Sequence, residues 1–218
     1  MMKIIIWLLI SLAPVLVQGQ SEIVKLNIGQ KELLVRITVP ENYSMNHSYP
    51  VLFGPGLDGG DIDQGCRYFG KNPEQFGWIL VESLVHMENR SAMSVLLDHI
   101  ESNYTCGKKF LFGFSANSVA AFEIASNFSN RISGVIAMPG NPQSNNNQML
   151  NNLSAQQIIM VVGERDTYWK KRAEKAKVIL DKRKIWNRLV IVPNGGHILD
   201  EFTGHPLFSL LNKTLTFQ

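Results

Sequence analysis

The chain has 218 residues, of which 45% are hydrophobic and 18% charged, and its formal net charge is +3. This is the composition of an ordinary globular domain, long enough to bury a large core without metal or disulfide staples. The densest basic cluster is Lys170, Lys171, Arg172, Lys175, Lys177, Lys182, Arg183 and Lys184. Glu174 and Asp181 interrupt it and aromatic interleaving is sparse, so it reads as a solvated helix face and argues against a nucleic-acid partner.

Lys3 and the apolar run Ile4 to Val17 precede Val17-Gln18-Gly19 and a polar start at Gln20. Residues 1–19 therefore read as a signal peptide and 20–218 as one mature domain. The apolar run is short for a membrane span and contains Pro14, so stable membrane insertion is not expected. A secreted or extracytoplasmic location follows. In an oxidising compartment, Cys66 and Cys106 are free to form one disulfide. Two distant cysteines lack zinc-ligand spacing, and no metal site is expected. Asn-x-Ser/Thr sequons occur at Asn42, Asn46, Asn89, Asn103, Asn127, Asn152 and Asn212, in excess of chance, as in a glycoprotein.

Two strands, 23–28 and 32–39, are predicted first, joined at Gly29-Gln30 as a hairpin. A short apolar strand, 51–53, leads into the Gly-rich run "GPGLDGGD". A short helix is predicted over 61–69, a strand over 77–82 and a helix over 91–102. The strand 109–112 meets the helix 116–127 at "GFSAN". After the strand 135–138 comes the polar stretch "GNPQSNNNQMLNNLSAQQ", read as loop with at most one short helix. Strand 158–162, helix 167–184, strand 189–192 and a terminal helix around 205–211 complete the chain. Short apolar runs alternating with helices predict an α/β protein with a mostly parallel sheet and helices on both faces.

In such sheets chemistry gathers at the carboxyl ends of strands. Ser115 lies on the turn from strand 109–112 into a helix, two residues after Gly113. A serine there stands clear of the sheet, and the Ala116 N–H at the helix start can meet developing negative charge. The Gly-rich loop after Phe53 offers further backbone donors for an oxyanion. Asp166 follows strand 158–162, where it can either orient an imidazole or cap the next helix. Glu164 is a poorer acid. His197 follows strand 189–192 and two glycines. The other histidines are weaker bases: His47 lies in a sequon loop, His99 in a helix, His205 before a proline, and His86 ahead of Ser115. The order Ser115, Asp166, His197, each after a strand, matches the α/β-hydrolase arrangement and differs from other serine-hydrolase orders.

With these residues in view, the mature chain resembles small secreted α/β-hydrolases of the predicted-esterase type, similar to the phospholipase/carboxylesterase and feruloyl-esterase-like families. The likeness runs through "LLVRITVPENYS", "YPVLFGPGLDGGD", "FLFGFSANSVAAF", "VVGERD" and "VPNGGHI". It implies an α/β-hydrolase fold, in which the polar segment after strand 135–138 is too short for a large apolar lid. It also implies Ser115 as nucleophile, His197 as base, Asp166 as the carboxylate behind it, and the backbone N–H groups of Leu57 and Ala116 as the oxyanion hole. The expected activity is hydrolysis of a small-molecule or carbohydrate-linked carboxylic ester through an acyl-enzyme, with no cofactor. Two positions depart from the family pattern: Pro55-Gly56 replaces His-Gly in the oxyanion loop, and Asn117 replaces the last glycine of the elbow. They favour the alternative of a catalytically silent binding protein on the same fold. A peptidase or thioesterase would use the same residues.

Overall fold

The computed structural model describes residues 21–54, 69–83 and 89–216. The signal-peptide segment 1–19, Leu57, Cys66, His86 and nearly all of the helix expected over 61–69 lie outside the described residues. Cys106 has no disulfide partner among the described residues.

Strands β1 (Ser21–Ile28) and β2 (Lys31–Thr38) form the expected hairpin, turning at Gly29 with φ of 59°. Six more strands follow among the described residues: β3 (Tyr49–Phe53), β4 (Ile79–Ser83), β5 (Cys106–Gly113), β6 (Gly134–Ala137), β7 (Gln157–Gly163) and β8 (Asn187–Val192). The sheet order is β1-β2-β4-β3-β5-β6-β7-β8. The hairpin joins β4 antiparallel, and every pairing from β4 to β8 is parallel.

The apolar runs that marked the strands are continuous because both faces of the sheet are covered. Alternate residues go to opposite sides. Val51, Phe53, Leu111, Val135, Ile158 and Met160 enter a core under the helices α2 (Arg90–Asn103), α3 (Ala116–Asn127), α4 (Asn147–Asn152) and α5 (Thr167–Lys182). Leu52, Phe110, Phe112, Ile136 and Ile159 enter a second core closed by Phe69, Trp78 and the terminal helix α6 (His205–Leu215). A four-residue helix, α1 (Asn72–Gln75), and a 3-10 turn at Asp200–Phe202 were not anticipated.

Side-chain chemistry sets several boundaries. The Asn89 side chain accepts from the Ser91 and Ala92 N–H groups and opens α2. Asn146 does the same for Met149 in α4. That helix buries Met149 and Leu150, and Leu153 after it, in the first core. The polar β6–β7 segment therefore spends its apolar side chains on the core and has none left for an apolar lid. Asn42, Asn46, Asn89, Asn103, Asn127 and Asn152 are exposed. Asn212 is half-buried in α6, where its Oδ1 accepts from the Trp78 indole N–H at 2.6 Å.

No helix among the described residues is long and apolar enough to cross a membrane.

Candidate active site

Ser115 sits between β5 and α3 with φ of 51° and ψ of −123°. A non-glycine residue rarely occupies that region, and the surrounding contacts hold it there. Its N–H donates to the Pro139 carbonyl at 2.9 Å, across the top of β6. Its own carbonyl accepts from the Ser118 N–H at 3.1 Å and from Ser118 Oγ at 2.6 Å. Two glycines make room for this turn. A Cβ on Gly113 would lie 2.4 Å from Ser118 Cα, and one on Gly140 would lie 2.1 Å from Ser118 Oγ. Asn117, half-buried in the first turn of α3, is compatible with this backbone. The bulkier side chain at the usual glycine position does not prevent the sharp turn.

The loops after β7 and β8 approach Ser115 as one laced pair. The Glu164 N–H donates to the Val192 carbonyl at 3.0 Å, and the Arg165 N–H to the Gly195 carbonyl at 2.9 Å. Glu164 Oε2 accepts from the Asn194 N–H at 2.9 Å, where the chain turns with φ of 55°. A Cβ on Gly163 would lie 2.1 Å from the Gly196 carbonyl oxygen, so only glycine permits this approach. Glu164, ranked second as an acid, is a brace between the loops.

These loops bring together the three side chains singled out from their order. His197 Nε2 is 3.0 Å from Ser115 Oγ, and His197 Nδ1 is 2.6 Å from Asp166 Oδ2. Against the carboxylate, Nδ1 carries the proton, which leaves Nε2 as acceptor for the serine hydroxyl. Asp166 Oδ1 accepts from the Trp169 N–H at 3.2 Å and caps α5. Capping and imidazole contact, weighed as alternatives for Asp166, coexist on its two oxygens. The Asp166 side chain is 8% exposed and that of His197 is 44% exposed. Phe114 meets the imidazole edge-on at 5.6 Å.

A hydroxyl, a neutral imidazole and a shielded carboxylate in this sequence can deprotonate the serine during attack on an electrophilic carbon. Ala116 opens α3, and its N–H belongs to the first turn, whose donors lack intrahelical acceptors. Leu57, the other expected oxyanion donor, lies outside the described residues. His47, His99 and His205 sit away from this site, against Tyr49, Asn103 and Phe76 respectively. Among the described residues no group of three His, Cys, Asp or Glu is arranged to hold a metal ion.

A cleft of about 520 Å³ opens at the other end of the strands, lined by Lys108, Arg131, Gln156 and Trp186 among others. Its described lining holds no hydrogen-bonded Ser-His-Asp series like that at Ser115.

The mostly parallel eight-stranded sheet, flanked by helices on both faces, is the α/β-hydrolase fold. No protein-family model and no curated protein sequence matches the chain. Solved structures do. Est1E from Butyrivibrio proteoclasticus is similar with a TM-score of 0.66 at 11% identity, covering 88% of this chain and 97% of that one. A feruloyl esterase module from Clostridium thermocellum, complexed with sinapinate, gives 0.69 at 11% identity, with coverages of 89% and 87%. Dienelactone hydrolase from Anabaena variabilis gives 0.65 at 18% identity, with coverages of 91% and 95%. The resemblance to esterase-type α/β-hydrolases read from the sequence thus holds in three dimensions. At such identities it speaks for the fold alone and leaves activity and substrate open.

Proposed function

We propose that this protein is a serine esterase, exported from the cell, that cleaves a carboxylic ester through an acyl-enzyme. One observation carries the reading: the unbroken hydrogen-bonded series from Ser115 Oγ through His197 to Asp166, built on a strained turn. Ser115 Oγ attacks the carbonyl carbon while its proton passes to His197 Nε2. Asp166 stabilises the resulting imidazolium through Nδ1–H. The carbonyl oxygen becomes an oxyanion, met by the Ala116 N–H and, in this reading, the Leu57 N–H. Collapse breaks the bond to the alcohol, which leaves with the proton held by His197. Water then enters, gives a proton to His197, and attacks the acyl-serine. The acid departs and the proton returns to Ser115.

Substrates are small-molecule or carbohydrate-linked esters. Support comes from the β6–β7 segment, whose apolar side chains are committed to the core, so no apolar lid is built there for a lipid interface. Several structural neighbours are described as feruloyl or ferulic acid esterases, which agrees with this choice. The signal-peptide pattern of residues 1–19 supports export, and sequencing the amino terminus of the secreted protein tests cleavage near Gly19.

A fluorophosphonate probe tests the mechanism. The folded wild-type chain should be labelled on Ser115, and Ser115→Ala should not be labelled. Absence of labelling in the wild type would leave the silent binding protein as the better reading. A panel of p-nitrophenyl, aryl and acetylated-sugar esters then sorts the substrates.

A further inference from the structure

Most of the basic cluster on α5 is a solvated face, but two of its members are not placed like the rest. Arg172 and Lys175, three residues apart, share one face of the helix. With Asn141, Gln143, Ser144 and Asn145 they line a cavity of about 320 Å³ between α5 and the loop after β6. No acidic side chain lines it. Neither cation has an ion-pair partner among the described residues. Lys177 and Arg131, in contrast, are paired with Asp181 and with Glu101.

The Arg172 side chain is held in one direction. Its guanidinium lies 5.2 Å from the Tyr168 ring centre and 5.5 Å from that of Trp169. Its Nε donates to Asn141 Oδ1 at 3.4 Å, and the other guanidinium nitrogens have no hydrogen bond among the described residues. Asn141 is 4% exposed and fixed in turn, since its Nδ2 donates to the Pro142 carbonyl at 2.7 Å. A stacked guanidinium with free donors presents a ready fork to an anion.

The cavity is joined to Ser115 through the chain. Arg172 is six residues beyond Asp166, or about 9 Å along the helix axis. Its guanidinium lies against Tyr168 and Trp169, in the first turn after the Asp166 cap. The loop bearing Asn141 begins at Pro139, whose carbonyl holds the Ser115 N–H. We propose that Arg172 and Lys175, with the Asn141–Asn145 loop, form an anion subsite that selects esters carrying a carboxylate or phosphate remote from the scissile carbonyl. The inference rests on the esterase reading, because it names the substrate class of that site.

The test compares p-nitrophenyl half-esters of dicarboxylic acids, from succinate to suberate, with neutral acyl esters of matched length. The wild type should prefer one length of charged acyl chain, and less so at high salt. The pair Arg172→Gln and Lys175→Gln should raise KM for that half-ester about tenfold, leaving the neutral esters within about twofold. Competitive inhibition by glutarate against inorganic phosphate tells a carboxylate site from a phosphate site. Equal treatment of charged and neutral esters by the wild type, or equal loss of both in the double variant, overturns the subsite. If no ester at all is hydrolysed, the esterase reading fails and the subsite is judged by binding. Saturable perturbation of tryptophan fluorescence by glutarate or phosphate, lost in the double variant, supports it. No saturable change rejects it.

Discussion

Asp166 touches His197 and the start of α5 with different oxygens: Oδ2 lies 2.6 Å from His197 Nδ1, while Oδ1 receives the Trp169 N–H. The helix therefore fixes the carboxylate that fixes the imidazole. Asp166→Asn keeps a capping oxygen but can turn an amide N–H toward Nδ1, which favours the wrong tautomer of His197. Turnover should fall roughly a thousand- to ten-thousand-fold with thermal stability nearly kept. Ester hydrolysis and a melting curve on the same sample check this. Full activity would mean that the carboxylate is not part of the chemistry.

The elbow depends on Ser118 as much as on Ser115. Gly140→Ala would drive a methyl to 2.1 Å from Ser118 Oγ and 2.3 Å from Ser118 Cβ. The expected cost is about 1–3 kcal/mol of stability, accompanied by a loss of kcat as the Ser115 carbonyl loses its partner. Adding Ser118→Ala should not rescue the variant, because the Cβ conflict remains. Urea unfolding of the single and double variants decides the point.

Glu164 ties the two loops without facing the serine. Glu164→Gln, which keeps an acceptor for the Asn194 N–H, should leave kcat within a few-fold. Glu164→Ala should lower kcat about tenfold by freeing the His197 loop, at a stability cost of about 1 kcal/mol. Equal and large losses in both variants would instead make the charge itself essential.

Asn117→Gly restores the residue usual at that position. The elbow already forms with asparagine, so kcat for a small ester should change by less than about threefold. The helix should lose up to about 1 kcal/mol from the glycine. A large gain in fluorophosphonate labelling rate would show that asparagine hinders the serine after all.

Trp78 is fully buried, and its indole N–H is satisfied by Asn212. Asn212→Ala should destabilise the chain by about 1–3 kcal/mol by leaving that donor unpaired. The same packing predicts that a glycan, where the protein is glycosylated, is absent from Asn212 while the exposed sequons are open to modification. Glycopeptide mapping reads this directly.

The parallel strands were legible because burial on both faces makes each an unbroken apolar run, as at Ile158–Val162. The meeting of Ser115, Asp166 and His197 was legible through their order and their positions after strands. The hairpin was read correctly, but not its seat beside β4, which follows from strand pairing across distant sequence. Glu164 looked like a weak acid because its role depends on Asn194, thirty residues away, being folded against it. Ser118 gave a faint signal in the glycines at 113 and 140, whose need for space appears only once β5 and β6 lie side by side. Arg172 was hidden in a run of similar charges, and only its stacking on Tyr168 and Trp169 and its contact with Asn141 separate it from them.

Asp166 and His197 follow neighbouring strands at one margin of the sheet, β7 and the outermost β8, whereas Ser115 follows β5, two strands inward of β7. Outer strands open at lower free energy than central ones. Fraying of β8 would strip His197 from the serine while the interior stays folded. Mild heating should therefore silence this protein well before it melts, and cooling should restore it without any refolding of the core.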